Sequence, residues 1–250
     1  MDLTGRTVVI TGGNSGLGLG MAHGVGANGA SVVIWSRTAS RNEQAVAELR
    51  EVGIDASSIA CDTADESSVH EAMQETVALR GRVDSLFANA GIASAAPLVD
   101  TDLDEWHRVL RTNLDGTFLC AREAARHFIE RGEGGSMVVV SSMISRYGGV
   151  GQAAYTTSKN GLIGLGRTMA VELARHRVRV NILVPGWTAT AMNTHLREDE
   201  AFMRATTART PVRRWAEPEE FHEVAAFLAD PTLTFHTGNE VVVDGGYTIF

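Results

Sequence analysis

The chain has 250 residues, 44% of them hydrophobic, with 22 basic against 30 acidic side chains and a formal net charge of −8. That is enough apolar material for one sizeable core, and an acidic balance without a basic stripe argues against a nucleic-acid partner. The opening MDLTGRTVVI has no apolar signal core and no apolar run is long enough to cross a bilayer, so a cytoplasmic protein with no membrane partner is expected.

In chain order, Thr7–Ile10 is a β-branched strand that runs into the glycine-rich Thr11-Gly12-Gly13-Asn14-Ser15-Gly16-Leu17-Gly18. A helix follows, although Gly20, Gly24 and Gly26 within it are poor helix formers and are read as allowing close packing. Ser31–Trp35 is the second strand, followed by a polar helix over about 40–52, and Ser57–Cys61 is the third strand. Glu66–Arg80 carries Val69, Met73 and Val77 at helical spacing. Asp84–Ala88 is a fourth strand, Leu103–Arg131 a long helix, Met137–Ser141 a fifth strand and Ala153–His176 another long helix. Arg179–Val184, a helix over Glu219–Ala229 and a last strand at Glu240–Val243 complete the order.

Strands such as VVVS and VNILV are apolar without alternation, as in a parallel sheet covered by helices on both faces. The strand–helix alternation predicts an α/β doubly wound sheet, and with no linker or low-complexity tract the whole of 1–250 is one domain. Ligands of such sheets bind outside the carboxyl ends of the strands. No metal site is expected, because the eight histidines include no HExxH pair. Cys61 and Cys120 have no ligand spacing and are read as small core residues. The clusters Arg175-His176-Arg177 with Arg179, and Arg213-Arg214, are read as solvated surface.

A glycine turn between a strand and a helix lets backbone approach a phosphate, with helix amides pointing at it. The spacing here is one residue wider than G-x-G-x-x-G, and the bland reading of such a turn is a mere connection. At the end of the second strand, Trp35-Ser36-Arg37-Thr38 holds no carboxylate for a ribose 2′-hydroxyl. Arg37 there suits a 2′-phosphate, with Ser36 or Thr38 adding hydrogen bonds, so NADP is preferred. NAD is the alternative, because the glycine turn holds Asn14-Ser15 rather than a second basic residue, and Arg37 could instead stack on adenine.

Ser142 lies thirteen positions before Tyr155, and Lys159 follows four after it. With the glycine turn, Ala88-Asn89-Ala90-Gly91, Asn113, Pro185-Gly186 and Asp244-Gly245-Gly246, this ordered set closely resembles the short-chain dehydrogenase/reductase family over essentially the whole chain. The resemblance implies a Rossmann-type sheet of seven parallel strands, a nicotinamide cofactor, a small carbonyl or alcohol substrate and a homotetramer. It implies cofactor contacts from Gly12, Asn14, Ser15, Gly16, Leu17 and Gly18 in the turn and from Ser36 and Arg37 after the second strand. Asp62, with Thr63 beside it, matches the position that bonds the adenine amino group, and Asn89 and Gly91 lie beside the adenine ribose. Pro185, Gly186, Thr188 and Thr190 are expected at the nicotinamide end. Two positions depart from the pattern: Ala88, where many relatives carry a second Asn, and Thr188, where an aliphatic residue is common but the backbone can still meet the nicotinamide amide.

Tyr155 and Lys159 share one helix face. A free tyrosine has a pKa of about 10, too high for a base near neutrality, and a nearby ammonium and an oxidised nicotinamide ring favour the phenolate. Lys159 is therefore expected to lower the Tyr155 pKa and to hydrogen-bond the nicotinamide ribose. Ser142 is expected to hold the substrate oxygen; its bland reading is a strand-end serine bonding its own backbone. Strand alternation points Ser141 to the opposite face. Asn113 interrupts the stripe Trp106, Leu110, Thr117; the family implies a bent helix and a water linking Lys159 to solvent, and the alternative is a satisfied structural amide.

Specificity is expected from loops 92–100, 143–152 and 191–215, the last a lid with an amphipathic helix-like stretch. Arg146, Gln152, Trp187 and His195 are pocket candidates. The strings GLGLGMA, RHFIERGEGG, SSMIS and LREDE resemble the gluconate and deoxygluconate dehydrogenase branch, which implies a sugar-acid or polyol substrate. A 3-oxoacyl thioester reductase is the alternative within the family, and a non-catalytic dinucleotide sensor or a structural protein the alternatives outside it.

Overall fold

Strands apolar on every residue need cover on both faces, and two helical layers supply it. A computed structural model describes residues 1–250. Strands β1 (Thr7–Thr11), β2 (Ser31–Ser36), β3 (Ala56–Ala60), β4 (Ser85–Ala88), β5 (Gly135–Val140), β6 (Val178–Pro185) and β7 (Glu240–Val243) form one parallel sheet in the order 3-2-1-4-5-6-7. Helices are α1 (Gly16–Ala27), α2 (Ala39–Glu51), α3 (Glu66–Arg80), α4 (Leu103–Leu110), α5 (Gly116–Arg131), α6 (Ala153–Leu173), α7 (Thr194–Arg197), α8 (Glu200–Arg209) and α9 (His222–Ala229).

The two-residue period of a strand divides the core. Val8, Ile10, Val32 and Ile34 pack with Val25 of α1, Leu49 of α2 and Leu228 of α9. Val9, Val33 and Trp35 face the other way, onto Val69 of α3, Phe128 of α5 and Leu162 of α6. Cys61 and Cys120 lie in this second layer as buried thiols. Strand order reverses direction beside β1, where β4 lies opposite β2, and this switch opens a crevice at the carboxyl ends.

The glycines of α1 acquire a reason. A Cβ would lie 2.3 Å from the Pro218 carbonyl oxygen at Gly20, 2.3 Å from the His222 carbonyl oxygen at Gly24 and 2.3 Å from the Ile54 side chain at Gly26. The helix gives up propensity to touch the C-terminal segment at Gly20 and Gly24 and Ile54, after α2, at Gly26.

Several elements differ from the sequence reading. The expected long helix 103–131 contains a π-helical turn, Arg111–Asp115, centred on the fully buried Asn113. The helix expected through His176 ends at Leu173 and closes in one 3-10 turn, and α9 is likewise preceded by a 3-10 turn at Pro218–Phe221. The helix-like stretch after residue 190 is broken, because Asp199 accepts from the Ala201 and Phe202 amides and starts a new helix there. β5 stops at Val140, so Ser142 lies two residues beyond the strand.

Candidate active site

The glycine turn is shaped by close approach. Gly12 has φ +64° and Gly16 φ +50°, the left-handed region that disfavours a side chain. A Cβ at Gly18 would fall 2.3 Å from the Gly12 carbonyl oxygen and 2.6 Å from Asn89 Nδ2. Asn89 Nδ2 donates to the Thr11 carbonyl at 3.0 Å, and Thr11 Oγ1 accepts from the Asn89 and Ala90 amides, both at 2.9 Å. The ends of β1 and β4 are thus stapled together, and Ala88 is simply a buried strand residue. Asn14 Nδ2 donates to Ser36 Oγ and to Asn42 Oδ1, each at 2.8 Å, tying the turn to the end of β2. Ser15 is exposed at the N-cap of α1, where its hydroxyl makes no capping bond, and Leu17 packs against the first core layer.

At the end of β2, Arg37 is exposed and pairs with no carboxylate. Arg41, four residues on at the start of α2, is in the same state, and the sequence reading missed it. Its one signal is i, i+4 spacing from Arg37 across a helix start. The Thr38 hydroxyl caps nothing. Asp62 Oδ1 accepts from the Ala64 amide at 3.0 Å, and the buried Thr63 abuts Gly116.

One turn of α6 separates Tyr155 from Lys159. Lys159 is buried, its Nζ donates to the Val140 carbonyl at 2.9 Å, and it lies 5.6 Å from the Tyr155 ring centre. Ser142 Oγ accepts from the Ile144 amide at 3.3 Å, so the backbone role is real, and the same hydroxyl faces the Tyr155 phenol. Ser141 points the other way, donating to the Lys159 carbonyl at 2.7 Å, as alternation requires. Asn113 Oδ1 accepts from the Ile92 amide at 2.8 Å, while its Nδ2 donates to the Ile92 carbonyl at 2.9 Å and to Ser158 Oγ at 3.0 Å. This amide is fully committed, clamping the loop after β4 to α6. A Cβ at Gly91 would lie 3.2 Å from Asn113 Oδ1 and 3.5 Å from Lys159 Nζ, so these groups meet at Gly91.

Burial pushes the Tyr155 phenol up, and the nearby Ser142 hydroxyl pulls it back. Burial also pushes the Lys159 ammonium down to about 8. In the free protein burial sets the direction of the Tyr155 shift. The ammonium is held on the Val140 carbonyl and lies over the face of the Tyr155 ring, and desolvation dominates both groups.

A sequence model of the family described as enoyl-(acyl carrier protein) reductase matches residues 12–248. The chain is 35% identical to the 5-keto-D-gluconate 5-reductase of Escherichia coli, over 99% of this chain and 97% of that one. It is 39% identical to the cis-4-hydroxycyclohexanecarboxylate dehydrogenase of Sinomonas cyclohexanicum, over 97% and 96%. A crystal structure of a gluconate 5-dehydrogenase from Burkholderia cenocepacia, in complex with NADP and tartrate, superposes with TM-score 0.95 at 35% identity, covering 100% of this chain and 97% of that one. This chain belongs to the short-chain dehydrogenase/reductase family. It is an oxidoreductase acting between CH–OH and C=O with a nicotinamide cofactor.

In this dehydrogenase/reductase the segment after β6 closes over the glycine turn. Pro185 ends β6, and the Gly186 amide donates to the Val243 carbonyl at 2.9 Å. Asp244 accepts from the Gly246 and Thr248 amides, both at 2.9 Å, knotting the C-terminal motif beside Gly186. A single parallel bridge, Thr188 to Ala216, pins both ends of 191–215. Asn193 donates to the Thr188 carbonyl at 2.7 Å and accepts from the Thr190 amide at 3.0 Å. Thr190 Cγ2 lies 3.1 Å from where a Gly16 Cβ would stand.

The pocket candidates divide. Arg146 is ion-paired with Glu240, which also holds Arg167, so its side chain is engaged on β7. His195 is exposed, and Gln152 rests against Gly149. Trp187 stacks on Trp215 with ring centres 4.9 Å apart and meets Phe202 edge-on at 5.3 Å. The apolar side of 191–215 packs down only in part, since Met192 stays 52% exposed.

Proposed function

We propose that this enzyme interconverts the secondary alcohol and ketone of a sugar acid, or a closely related hydroxycarboxylic acid, using NADP(H) in preference to NAD(H). The observation that carries the reading is the convergence of Ser142, Tyr155 and Lys159 at one rim of the sheet, beside the glycine turn. The printed activities of the relatives, on 5-ketogluconate and on a hydroxycyclohexanecarboxylate, support the substrate class.

The chain fits a dinucleotide. The approach of Gly18 to Gly12 makes a cradle that any side chain would fill. Two unpaired guanidiniums, Arg37 and Arg41, with Thr38 between them and no carboxylate at the end of β2, suit a 2′-phosphate, as does the NADP carried by the Burkholderia cenocepacia neighbour. Ser15, Gly16 and Leu17 line the pyrophosphate turn, Asp62, Thr63, Asn89 and Gly91 the adenosine side, and Pro185, Gly186, Thr188 and Thr190 the nicotinamide side. When bound, the cofactor gives or takes the hydride at the reacting carbon. Tyr155 donates its phenol proton to the carbonyl oxygen in reduction and removes the alcohol proton in oxidation. Ser142 hydrogen-bonds the same oxygen and stabilises charge developing there. Lys159 holds the nicotinamide ribose. Asn113, its side-chain amide spent on Ile92 and Ser158, fixes both around Lys159. Residues 191–215 form a lid, hinged at the Thr188–Ala216 bridge. The working form is a cytoplasmic homotetramer, on family resemblance.

The test is turnover of gluconate, 5-ketogluconate and 4-hydroxycyclohexanecarboxylate, followed at the reduced-cofactor absorbance band with both cofactors. Turnover that is faster with NADP(H) and abolished in Tyr155→Phe supports the reading. Cofactor binding without turnover of any alcohol or ketone overturns it in favour of a sensor.

A further inference from the structure

Three loops surround the mouth of the site, and their cations are nearly all committed. Loop 92–100 contains no basic residue. The single arginine of 143–152, Arg146, is held by Glu240, which it shares with Arg167. In 191–215, Arg204 pairs with Glu200 and Arg214 with Glu220, while Arg213 bonds the Ala208 carbonyl beneath Phe250. His195 and Arg197 sit exposed on α7. Arg209, like Arg197 and Arg213, pairs with no carboxylate, but it alone of these cations lies against two aromatic rings, its guanidinium 4.4 Å from the ring centre of Tyr247 and 5.0 Å from that of Tyr147.

That platform adjoins the proposed catalytic set. Tyr147 ends the 3-10 turn that Ser142 begins, and it packs with Met143 and Trp187. Trp187 follows Gly186 and meets Tyr247 edge-on at 6.5 Å. The Trp187 indole nitrogen is buried without a hydrogen-bond partner, and the buried Tyr147 hydroxyl has only the Tyr247 hydroxyl near it. Leaving a buried donor unpaired is costly, so an orphan beside a site calls for a ligand atom. The indole N–H and the guanidinium can only donate. Stacking on two phenols holds the guanidinium plane while leaving its N–H edge open to a bidentate acceptor. Three donors and one uncompensated positive charge match an anionic acceptor with two oxygens.

We propose that Arg209, with the Tyr147 hydroxyl and the Trp187 indole N–H, receives the carboxylate of the substrate. The subsite rests on the hydroxycarboxylic-acid reading above and names the residues that enforce it. The arginine comes from the lid, so a substrate carboxylate also holds α8 down over the reacting centre.

The experiment compares each acid with its uncharged carboxamide, gluconate with gluconamide and 4-hydroxycyclohexanecarboxylate with its amide, on the full-length enzyme with NADP⁺. For wild type and Arg209→Met, kcat/KM is measured for both members of each pair. Separately, the enzyme–NADP⁺ complex is titrated with each compound and followed by tryptophan fluorescence from the Trp187–Trp215 stack. The expected result is an acid-over-amide ratio that falls about tenfold or more in Arg209→Met, carried mainly by KM. Arg209→Lys recovers part of it, and Trp187→Phe loses a smaller factor while keeping the stack. Arg204→Met, an exposed lid arginine already paired with Glu200, keeps the wild-type ratio. An acid-over-amide ratio unchanged in Arg209→Met, by rate and by titration, overturns the subsite. Turnover without any preference for the acid also overturns it and leaves the reaction class standing. Arginine-dependent binding of the acid without turnover keeps the subsite and sinks the hydride-transfer reading.

Discussion

Lys159 donates its ammonium to the Val140 carbonyl at 2.9 Å, joining the last residue of β5 to the helix that carries Tyr155. Ser141 answers by donating to the Lys159 carbonyl at 2.7 Å. These two bonds hold α6 in register with the strand end, and that register faces Ser142 toward Tyr155. The proposed acid is positioned by backbone contacts that never touch the substrate.

If Tyr155 is the proton donor, removing its hydroxyl stops the reaction without emptying the site. Tyr155→Phe is expected to lower kcat by about 10³-fold, within the range for losing a general acid. NADPH affinity, measured by fluorescence titration, stays within a few-fold. Near-normal turnover would end the assignment.

Cofactor choice should follow the two free guanidiniums after β2. Arg37→Ala is expected to cut the NADPH-over-NADH ratio of kcat/KM about tenfold, as a lost charge-assisted bond predicts, and adding Arg41→Ala to cut it further. A ratio unmoved by the double change would place the 2′-phosphate elsewhere.

Lys159 carries a pH signature. Its ordinary pKa is 10.5 and burial lowers it to about 8, so between those values the unfolded chain binds more protons than the folded one. Stability attributable to this residue therefore rises with pH across that window, and the cost of burying the charge is fully present below about 8. Lys159→Met is expected to be more stable than wild type at neutral pH, by on the order of a few kcal/mol, with the gap closing as pH approaches 10.5. Denaturant unfolding of both proteins across this range measures it, and a gap that stays constant contradicts the burial argument.

Two glycines of α1 should separate binding from stability. Gly18→Ala drives a methyl into the Gly12 carbonyl and should abolish cofactor binding. Gly24→Ala drives one into the His222 carbonyl, far from the turn, and should cost about 1–3 kcal/mol of stability, seen as a Tm lowered by several degrees. Equal Tm values for Gly24→Ala and wild type would show that α1 can retreat from α9.

Much of this was legible before folding. The order of strand ends, the Tyr155–Lys159 spacing and the missing carboxylate after Trp35 are all local patterns. What escaped was a matter of partners. Nothing near Arg146 in the chain announces Glu240, ninety-four residues away. Asn113 looks like an interruption in a helix until Ile92 and Ser158 arrive to use its amide. Arg41 reads as one more surface charge on a polar helix, and the close packing expected of Gly20, Gly24 and Gly26 has no named partner until Pro218, His222 and Ile54 lie against them.

By itself the sequence determined the continuously apolar strands, the glycine turn and the chemistry placed after each strand, because apolar runs and side-chain identity are properties of neighbours in the chain. The tertiary structure alone decided which charges are free. An arginine's meaning depends on whether a carboxylate lies within reach: Arg146 has one, while Arg37, Arg41 and Arg209 have none. It also set the two proton affinities, since desolvation depends on what surrounds Tyr155 and Lys159 in space rather than on their four-residue separation.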